Sequence, residues 1–264
     1  MPRDDAVAPA KDAYRRFRRA VFRSLACLRG HSLQMPAGPL VVIAPHPDDE
    51  VFGAGGLVAM AAAKGLPVHV LMLTDGGGSH RGCCRADEQE VGRRRRELIA
   101  QAAKALGYPA DDLHYFGQRD GALPHPGEPG FDELATEMAD RIRDIAPATI
   151  LAPHPLEGWQ DHVTAELLAR AAIAKLERPV QLIHYCVWFW FSLPLWRGLQ
   201  LPWRAALTLD IEGVRTRKQA AMNIYLNASA PCGNPWVGRL PQEFLRAFAW
   251  QKELYFAADA ARMM

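Results

Sequence analysis

Leu40-Val41-Val42-Ile43-Ala44-Pro45-His46-Pro47-Asp48-Asp49-Glu50 is the stretch that decides the fold. Its first five residues are an unbroken apolar run, the pattern of a strand buried on both faces. Buried strands of this kind belong to parallel sheets covered by helices. Working outward, residues 51–64 are rich in Gly and Ala and read as a helix, and Val68 to Leu73 reads as a second strand. A loop, Thr74-Asp75-Gly76-Gly77-Gly78, follows. Residues 88–106 read as a long helix that ends at Gly107, a residue suited to a left-handed cap. Leu113–Phe116 (strand), 131–145 (helix), Thr149–Ala152 (strand), 162–176 (helix) and Val180–Val187 (strand) continue the alternation. Strands alternating with helices predict βαβ units, hence an α/β three-layer sandwich with a mostly parallel sheet. Beyond Trp188 the pattern loosens into a Trp- and Phe-rich stretch. Helices are expected over 213–226 and 241–258.

The chain has 264 residues, 49% hydrophobic and 23% charged, enough for one sizeable core and unlike a disordered chain. A net charge of +2 argues against a dedicated nucleic-acid binder. The charge is uneven: residues 1–38 carry eight basic against three acidic residues, and residues 39–264 carry 23 against 26. We therefore divide the chain into a basic helical extension, 1–38, and a body, 39–264. Within the extension, residues 12–29 read as an amphipathic helix with Tyr14, Phe17, Val21, Leu25 and Leu28 on one face and Arg16, Arg19 and Arg23 on the other. The favoured expectation is an apolar face docked on the body and a solvated basic face. The alternative is peripheral contact with an anionic membrane. No run approaches the ~20 apolar residues of a spanning helix, and no secretory signal is read, so a cytoplasmic location is expected. Five cysteines without CxxC spacing read as reduced thiols. The adjacent Cys83 and Cys84 are expected to diverge as two loop thiols rather than bind metal.

In an open α/β sheet the chemistry sits beyond the carboxyl ends of the strands. The opening stretch places one imidazole and three carboxylates there. Capping of the next helix would use one acid, not three, and would not need a histidine held between two prolines. The fourth strand ends in a second such cluster, His154-Pro155-Leu156-Glu157-Gly158-Trp159-Gln160-Asp161-His162. Two clusters of His and carboxylate at strand ends suit a catalytic zinc with three N and O ligands and one position for water. A nearby carboxylate would take that water's proton. The glycines at 53, 55 and 56 do not form GxGxxG, so dinucleotide binding is discounted.

These residues resemble a known family. His46-Pro47-Asp48-Asp49-Glu50 followed by Gly53-Ala54-Gly55-Gly56 is similar to the signature of the PIG-L/LmbE-like N-acetylglucosaminyl deacetylases. Thr74-Asp75-Gly76, Arg94-x-x-Glu97-Leu98, Ala102-Ala103, Leu106-Gly107, Arg119-Asp120-Gly121-x-Leu123, Asp161-His162 and Lys218-x-x-Ala221 extend the resemblance over about residues 39–230. The resemblance implies a Rossmann-like fold, one zinc ion, and hydrolysis of an N-acetyl group from an amino sugar or its conjugate. It implies His46, Asp49 and His162 as zinc ligands, Asp48 as general base, and Arg94 and Asp120 as contacts to the sugar.

The chain departs from the family at Trp159, where a histidine that polarises the carbonyl or protonates the leaving amine is usual. Indole donates one hydrogen bond but cannot shuttle a proton. Three readings stay open: His154 takes the role, the substrate supplies the proton, or catalysis is impaired. Impaired catalysis would make the chain a sugar-binding protein, with Trp159 stacking on the sugar. A metal-dependent amidase acting on a non-sugar metabolite is a further alternative. Asp161 is expected to orient His162 or the base, or to cap the helix it opens. His69 and His184, inside strands, are expected to be packed structural histidines. His80 and Arg81 are expected to be solvated loop positions. Oligomeric state is not fixed by the sequence.

Overall fold

The computed structural model describes residues 7–258. Eight strands form one sheet: β1 (His31–Ser32), β2 (Leu40–Ala44), β3 (Val68–Thr74), β4 (Leu113–Gln118), β5 (Thr149–Pro153), β6 (Gln181–Tyr185), β7 (Ala206–Asp210) and β8 (Lys252–Ala257). Their order is β1-β7-β8-β6-β5-β2-β3-β4. All neighbours are parallel except β8, which is antiparallel to both β6 and β7. The main helices are α1 (Val7–Arg29), α2 (Asp49–Ala63), α3 (Glu88–Leu106), α4 (Phe131–Ile145), α5 (Gln160–Ala174) and α8 (Arg215–Asn227), with short α6 (Phe189–Ser192), α7 (Leu195–Leu199) and α9 (Gln242–Leu245).

The two-residue period of β2 explains the layers. Leu40, Val42 and Ala44 join the core under α2, α3 and α8. Val41 and Ile43 join the core under α4 and α5. An all-apolar strand serves a sheet covered on both faces, as its sequence predicts.

Three strands lie outside the sequence-based expectation. The helix expected over 241–258 is instead the short α9 followed by β8. Leu254-Tyr255-Phe256 is a short apolar run whose periodicity does not separate helix from strand, and its aromatic content favours the strand. All three residues are buried between β6 and β7. β7 lies in the stretch read as loosened and β1 in the extension read as helical, and the two pair in parallel.

Helix α1 is docked on a face that overlaps the expected one only in part: Val21 and Leu25 pack against the core as expected. Phe22 and Ala26 are its buried apolar anchors, whereas Tyr14, Phe17 and Leu28 are exposed. The arginines expected in solvent, Arg16, Arg19 and Arg23, all bond to the body, Arg16 at the Glu243 carboxylate (3.1 Å), and Arg18 joins them. Arg18 donates to the carbonyls of Trp190 and Phe191 (2.7 and 2.9 Å), Arg19 to the Glu243 carboxylate (3.1 Å), and Arg23 to the Ala247 carbonyl (2.8 Å). Orphan carbonyls at the ends of short α6 and α9 recruit these fork-shaped donors. That removes several of the cations a membrane-facing helix would need. Among the described residues no helix is long and apolar enough to cross a membrane. The Trp-rich stretch divides: Phe189, Trp190 and Trp203 are core, and Trp188 and Phe191 line the cleft described next.

Candidate active site

β2 and β5 are neighbours, and the chain leaves them toward the same end of the sheet. The turn after β2 carries His46 to Glu50, and the turn after β5 carries His154 to His162. Two clusters far apart in sequence thus meet at one crevice, His46 with Asp161 across 115 positions.

The first turn is held against its own strain. Asp48 has φ of 128°, a conformation that costs a non-glycine residue ~1–3 kcal/mol. Its amide donates to Glu50 Oε2 (2.9 Å), whose other oxygen accepts from the Tyr225 hydroxyl (2.7 Å). The Arg95 guanidinium donates to the Pro47 and Gly76 carbonyls (2.5 and 2.9 Å) and lies 3.3 Å from Asp48 Oδ1. The turn is therefore fixed from two helices, and Asp48 faces the crevice.

Asp49 Oδ2 lies 3.2 Å from His46 Nδ1 and 3.3 Å from His162 Nε2. The three side chains present two nitrogens and an oxygen to one point. Both nitrogens of His162 are buried and lack a hydrogen-bond partner, which is costly unless something else coordinates them. Glu157, fully buried, stands 3.6 Å behind His162 Nδ1 and accepts from the amides of Val187 (2.8 Å) and Trp188. His46 Nε2 is 3.2 Å from both Asp120 Oδ1 and Asp161 Oδ2. Carboxylates behind each imidazole are the usual means of orienting metal-binding histidines. Burial opposes charge on both rings, yet the surrounding carboxylates raise the pKa of His46 well above its ordinary value and of His162 to about 9. That negative field is one a divalent cation can neutralise in place of protons. The donor set, the orphaned nitrogens and the field all fit a divalent metal.

Burial raises the Asp48 carboxyl to about 8, against the pull of Arg95. Asp161 does not cap α5: the helix starts one residue earlier, with Trp159 at its cap position and no side-chain cap. Its carboxylate instead accepts from the Gly121 amide (2.7 Å) and contacts His46, not His162. Asp120 accepts from the Gly78 amide (2.8 Å). A cleft of about 700 Å³ opens over these groups. Trp159, Trp188 and Phe191 line it from one part of the chain, Gly78, Ser79 and Arg81 from another, and Val237 to Pro241 from a third. Trp159 is 51% exposed and packs on Trp188 with ring centres 5.0 Å apart.

His46, Asp48, Asp49, Asp120, Trp159 and His162 thus converge on the cleft. His154 and Arg94 do not. His154 is buried on the other side of its turn, its Nδ1 accepts from the Leu156 amide (3.1 Å), and its ring packs on Phe189, Phe256 and His184. Burial holds its pKa well below the ordinary value. It cannot stand in for the histidine missing at Trp159. Arg94 is exposed and pairs with Glu97 (3.0 Å). The α3 guanidinium that reaches the cleft is that of its neighbour Arg95. The signal was in the helical period: Arg95 falls in step with Val91, Leu98, Ile99 and Ala102 on the buried face of α3. Glu157 was visible in the sequence cluster, but only the fold places it behind His162. His184 is a packed histidine, as expected, bonded to Glu166 (2.9 Å). His69 is half-buried on the edge side of β3, beside His114 and Asp112.

Residues 41–173 match the model of the PIG-L family, GlcNAc-PI de-N-acetylase. The chain belongs to the PIG-L family. Among curated relatives, diacetylchitobiose deacetylase of Thermococcus kodakarensis is 32% identical over 139 residues, 51% of this chain and 49% of that protein. A 4-oxalmesaconate hydratase of Pseudomonas putida is 29% identical over 205 residues, 74% of this chain and 76% of that protein. The match spans less than two thirds of the length of these curated deacetylases, from 49% to 64%. Among solved structures, N,N'-diacetylchitobiose deacetylase of Pyrococcus horikoshii superposes with a TM-score of 0.60 at 19% identity, covering 86% of this chain and 79% of that one. That likeness confirms the PIG-L fold, with its mixed, mostly parallel sheet.

Proposed function

We propose that this PIG-L protein is a zinc-dependent hydrolase that removes an N-acetyl group from an N-acetylglucosamine-like amino sugar or its conjugate. The carrying observation is the meeting of Asp49 Oδ2 with both His46 Nδ1 and His162 Nε2 within 3.3 Å, beside Asp48. Zinc held by these three residues would lower the pKa of a water toward ~7 and polarise the acyl oxygen. Asp48 takes the proton of that water and later delivers it to the departing amine. Arg95 fixes the direction of its carboxylate. Asp120 and Asp161 keep the Nε2 proton on His46, leaving Nδ1 for the metal. Trp159 and Trp188 offer flat apolar faces to a sugar ring, and Asp120 is the nearby carboxylate for its hydroxyls. With Trp159 at the position of the usual histidine and His154 out of reach, Asp48 carries both proton transfers. We assign this chemistry to residues 39–264, with 1–38 as an added extension. We place it in the cytoplasm, a reducing compartment that would keep its five cysteines out of disulfides.

The test is release of acetate and primary amine from a panel of N-acetylglucosamine conjugates by zinc-loaded protein. Asp48→Ala is expected to keep the metal and lose ~10²–10⁴ in turnover. Saturable sugar binding with no amine from any conjugate would replace this reading with that of a sugar-binding protein.

A second reading rests on the hydratase relative, whose match covers more of both chains than the deacetylases do. It keeps the activated water and directs it at a conjugated double bond of an acidic metabolite, with Arg81 and Arg239 of the cleft facing the carboxylates. Loss of substrate conjugation in the near ultraviolet, without amine release, would favour it.

A further inference from the structure

The loop after β3 and the loop after α8 meet at a second cluster of metal-binding side chains, apart from the one described above. His80, Cys83, Cys84 and Cys232 bring one nitrogen and three sulfurs within 4.8 Å of one another. We propose that they form a structural zinc site of Cys3His type that fixes the wall of the active-site cleft.

The distances support this. Tetrahedral zinc with Zn–S of ~2.3 Å and Zn–N of ~2.0–2.1 Å has S–S edges of ~3.8 Å and N–S edges of ~3.6 Å. Here Cys83 Sγ lies 3.6 Å from Cys232 Sγ. His80 Nδ1 lies 3.0, 3.8 and 3.5 Å from the sulfurs of Cys83, Cys84 and Cys232. The histidine is prepared for the role. Its Nε2 donates to the Pro235 carbonyl (2.9 Å), so the proton sits on Nε2 and the Nδ1 lone pair points at the thiols. Asn234 Nδ2 donates to Cys232 Sγ (3.6 Å), as donors commonly do toward a thiolate ligand.

The loops around the cluster are shaped for it. The Cys83 amide donates to the His80 carbonyl (3.2 Å), closing a turn that aims both side chains the same way. Cys232 sits in a tight turn before Gly233, whose φ is +81°. His80 is buried, not solvated, and Cys83 and Cys84 do not diverge: each turns its sulfur toward the same imidazole. Adjacency alone argued for divergence, because the turn that folds Cys84 back is invisible without Cys232.

Four protein ligands leave no open position, so the site holds structure and does no chemistry. What it holds is the cleft. Gly78, Ser79 and Arg81 flank His80, and Val237 to Pro241 follow Cys232, and both sets line the cavity. Ser79 Oγ donates to the Trp236 carbonyl (2.9 Å) across the same seam. This inference does not rest on the deacetylase reading, since it concerns ligands that reading leaves unused.

The test uses the full chain, reduced, loaded with zinc and freed of excess. About two zinc ions per chain are expected, falling to about one in Cys232→Ser and to about one in His46→Ala. Cobalt substitution supplies an independent readout. Wild type and His46→Ala should both show an intense near-ultraviolet thiolate-to-cobalt charge-transfer band, and Cys232→Ser should lose it. The wild-type band decides the matter even if a variant fails to fold. Its absence from folded, cobalt-loaded wild type would overturn the proposal. So would a Cys83–Cys232 disulfide that forms in the presence of zinc, read as a loss of two hydrogens by mass.

Discussion

Arg95 lies 3.3 Å from Asp48, with both side chains nearly enclosed, and the same guanidinium clamps the Pro47 and Gly76 carbonyls. One residue therefore sets the direction of the proposed base and the shape of the turn that carries it. Lysine cannot replace a fork that serves three acceptors. Arg95→Lys is expected to lower kcat by ~10²-fold while leaving metal content near wild type, because the Glu50 bonds to the Asp48 amide and the Tyr225 hydroxyl still hold the turn that carries the proposed ligands His46 and Asp49. A metal-replete Arg95→Lys with wild-type kcat would mean Asp48 needs no positioning.

Arg95 also shows where sequence reading stops. Its neighbour Arg94 carried the motif spacing, and the motif alone could not say which guanidinium faces inward. The buried period of α3 could. The central strands and the sites at their ends were legible because β2 and β5 are continuous apolar runs that stop at His- and carboxylate-rich turns. β8 was not, because Leu254-Tyr255-Phe256 is too short for a period and owes its strand state to β6 and β7 on either side. His154 shares a turn with Glu157, yet the turn sends one into the core under Phe256 and the other behind His162. Proximity in sequence within a turn does not determine direction. The meeting of Cys232 with Cys83 depends on a contact 149 residues long in sequence.

Gly53 is expected to tolerate no side chain. A Cβ there would stand 2.2 Å from Tyr185 Cδ2, and the Tyr185 hydroxyl donates to the Ile43 carbonyl (2.9 Å) just before the turn that carries Asp48. Overpacking of this kind costs ~1–3 kcal/mol. Gly53→Ala should therefore lower Tm by several degrees, at ~2–4 °C per kcal/mol for a chain of this size. Gly213→Ala, with open space around its Cα, is the control and should leave Tm near wild type. Equal melting of the two variants would show that Tyr185 moves aside freely.

The docking of α1 should be sensitive to acid. Burial raises the Glu243 carboxyl, but Arg19 and Arg16 outweigh it and hold its pKa below the ordinary 4.5. A carboxyl depressed in the folded state contributes stability above its unfolded pKa and loses it as pH falls through the folded one. The seam between α1 and α9 should thus be intact at neutral pH and loosen below about pH 4.5. Hydrogen exchange within α1, corrected for intrinsic rates, should accelerate there relative to the sheet. Glu243→Gln should flatten the difference between the two pH values. Equal protection of α1 on both sides of pH 4.5 in the wild type would remove Glu243 as the clasp.

Trp159 occupies the position at which the resemblance places a proton-handling histidine, and its ring lies half-exposed against Trp188. If Asp48 carries both proton transfers alone, the tetrahedral oxyanion is served by fewer donors than the cleft has room for. Trp159→His restores an imidazole three residues before His162, at the cap position of α5, where the backbone is extended and accepts either residue. A well-placed oxyanion donor is worth ~10²–10³ in rate. Trp159→His should therefore raise kcat on an N-acetyl amino sugar, and by up to that factor. It should also raise KM, because the flat face proposed to stack on the sugar is gone. The pH profile should gain a limb near the ordinary histidine value, ~6.5, since the new group titrates there. A fall in kcat together with unchanged KM would show the opposite: that the indole N–H is itself the donor the reaction uses, and that the cleft was built around tryptophan at this position.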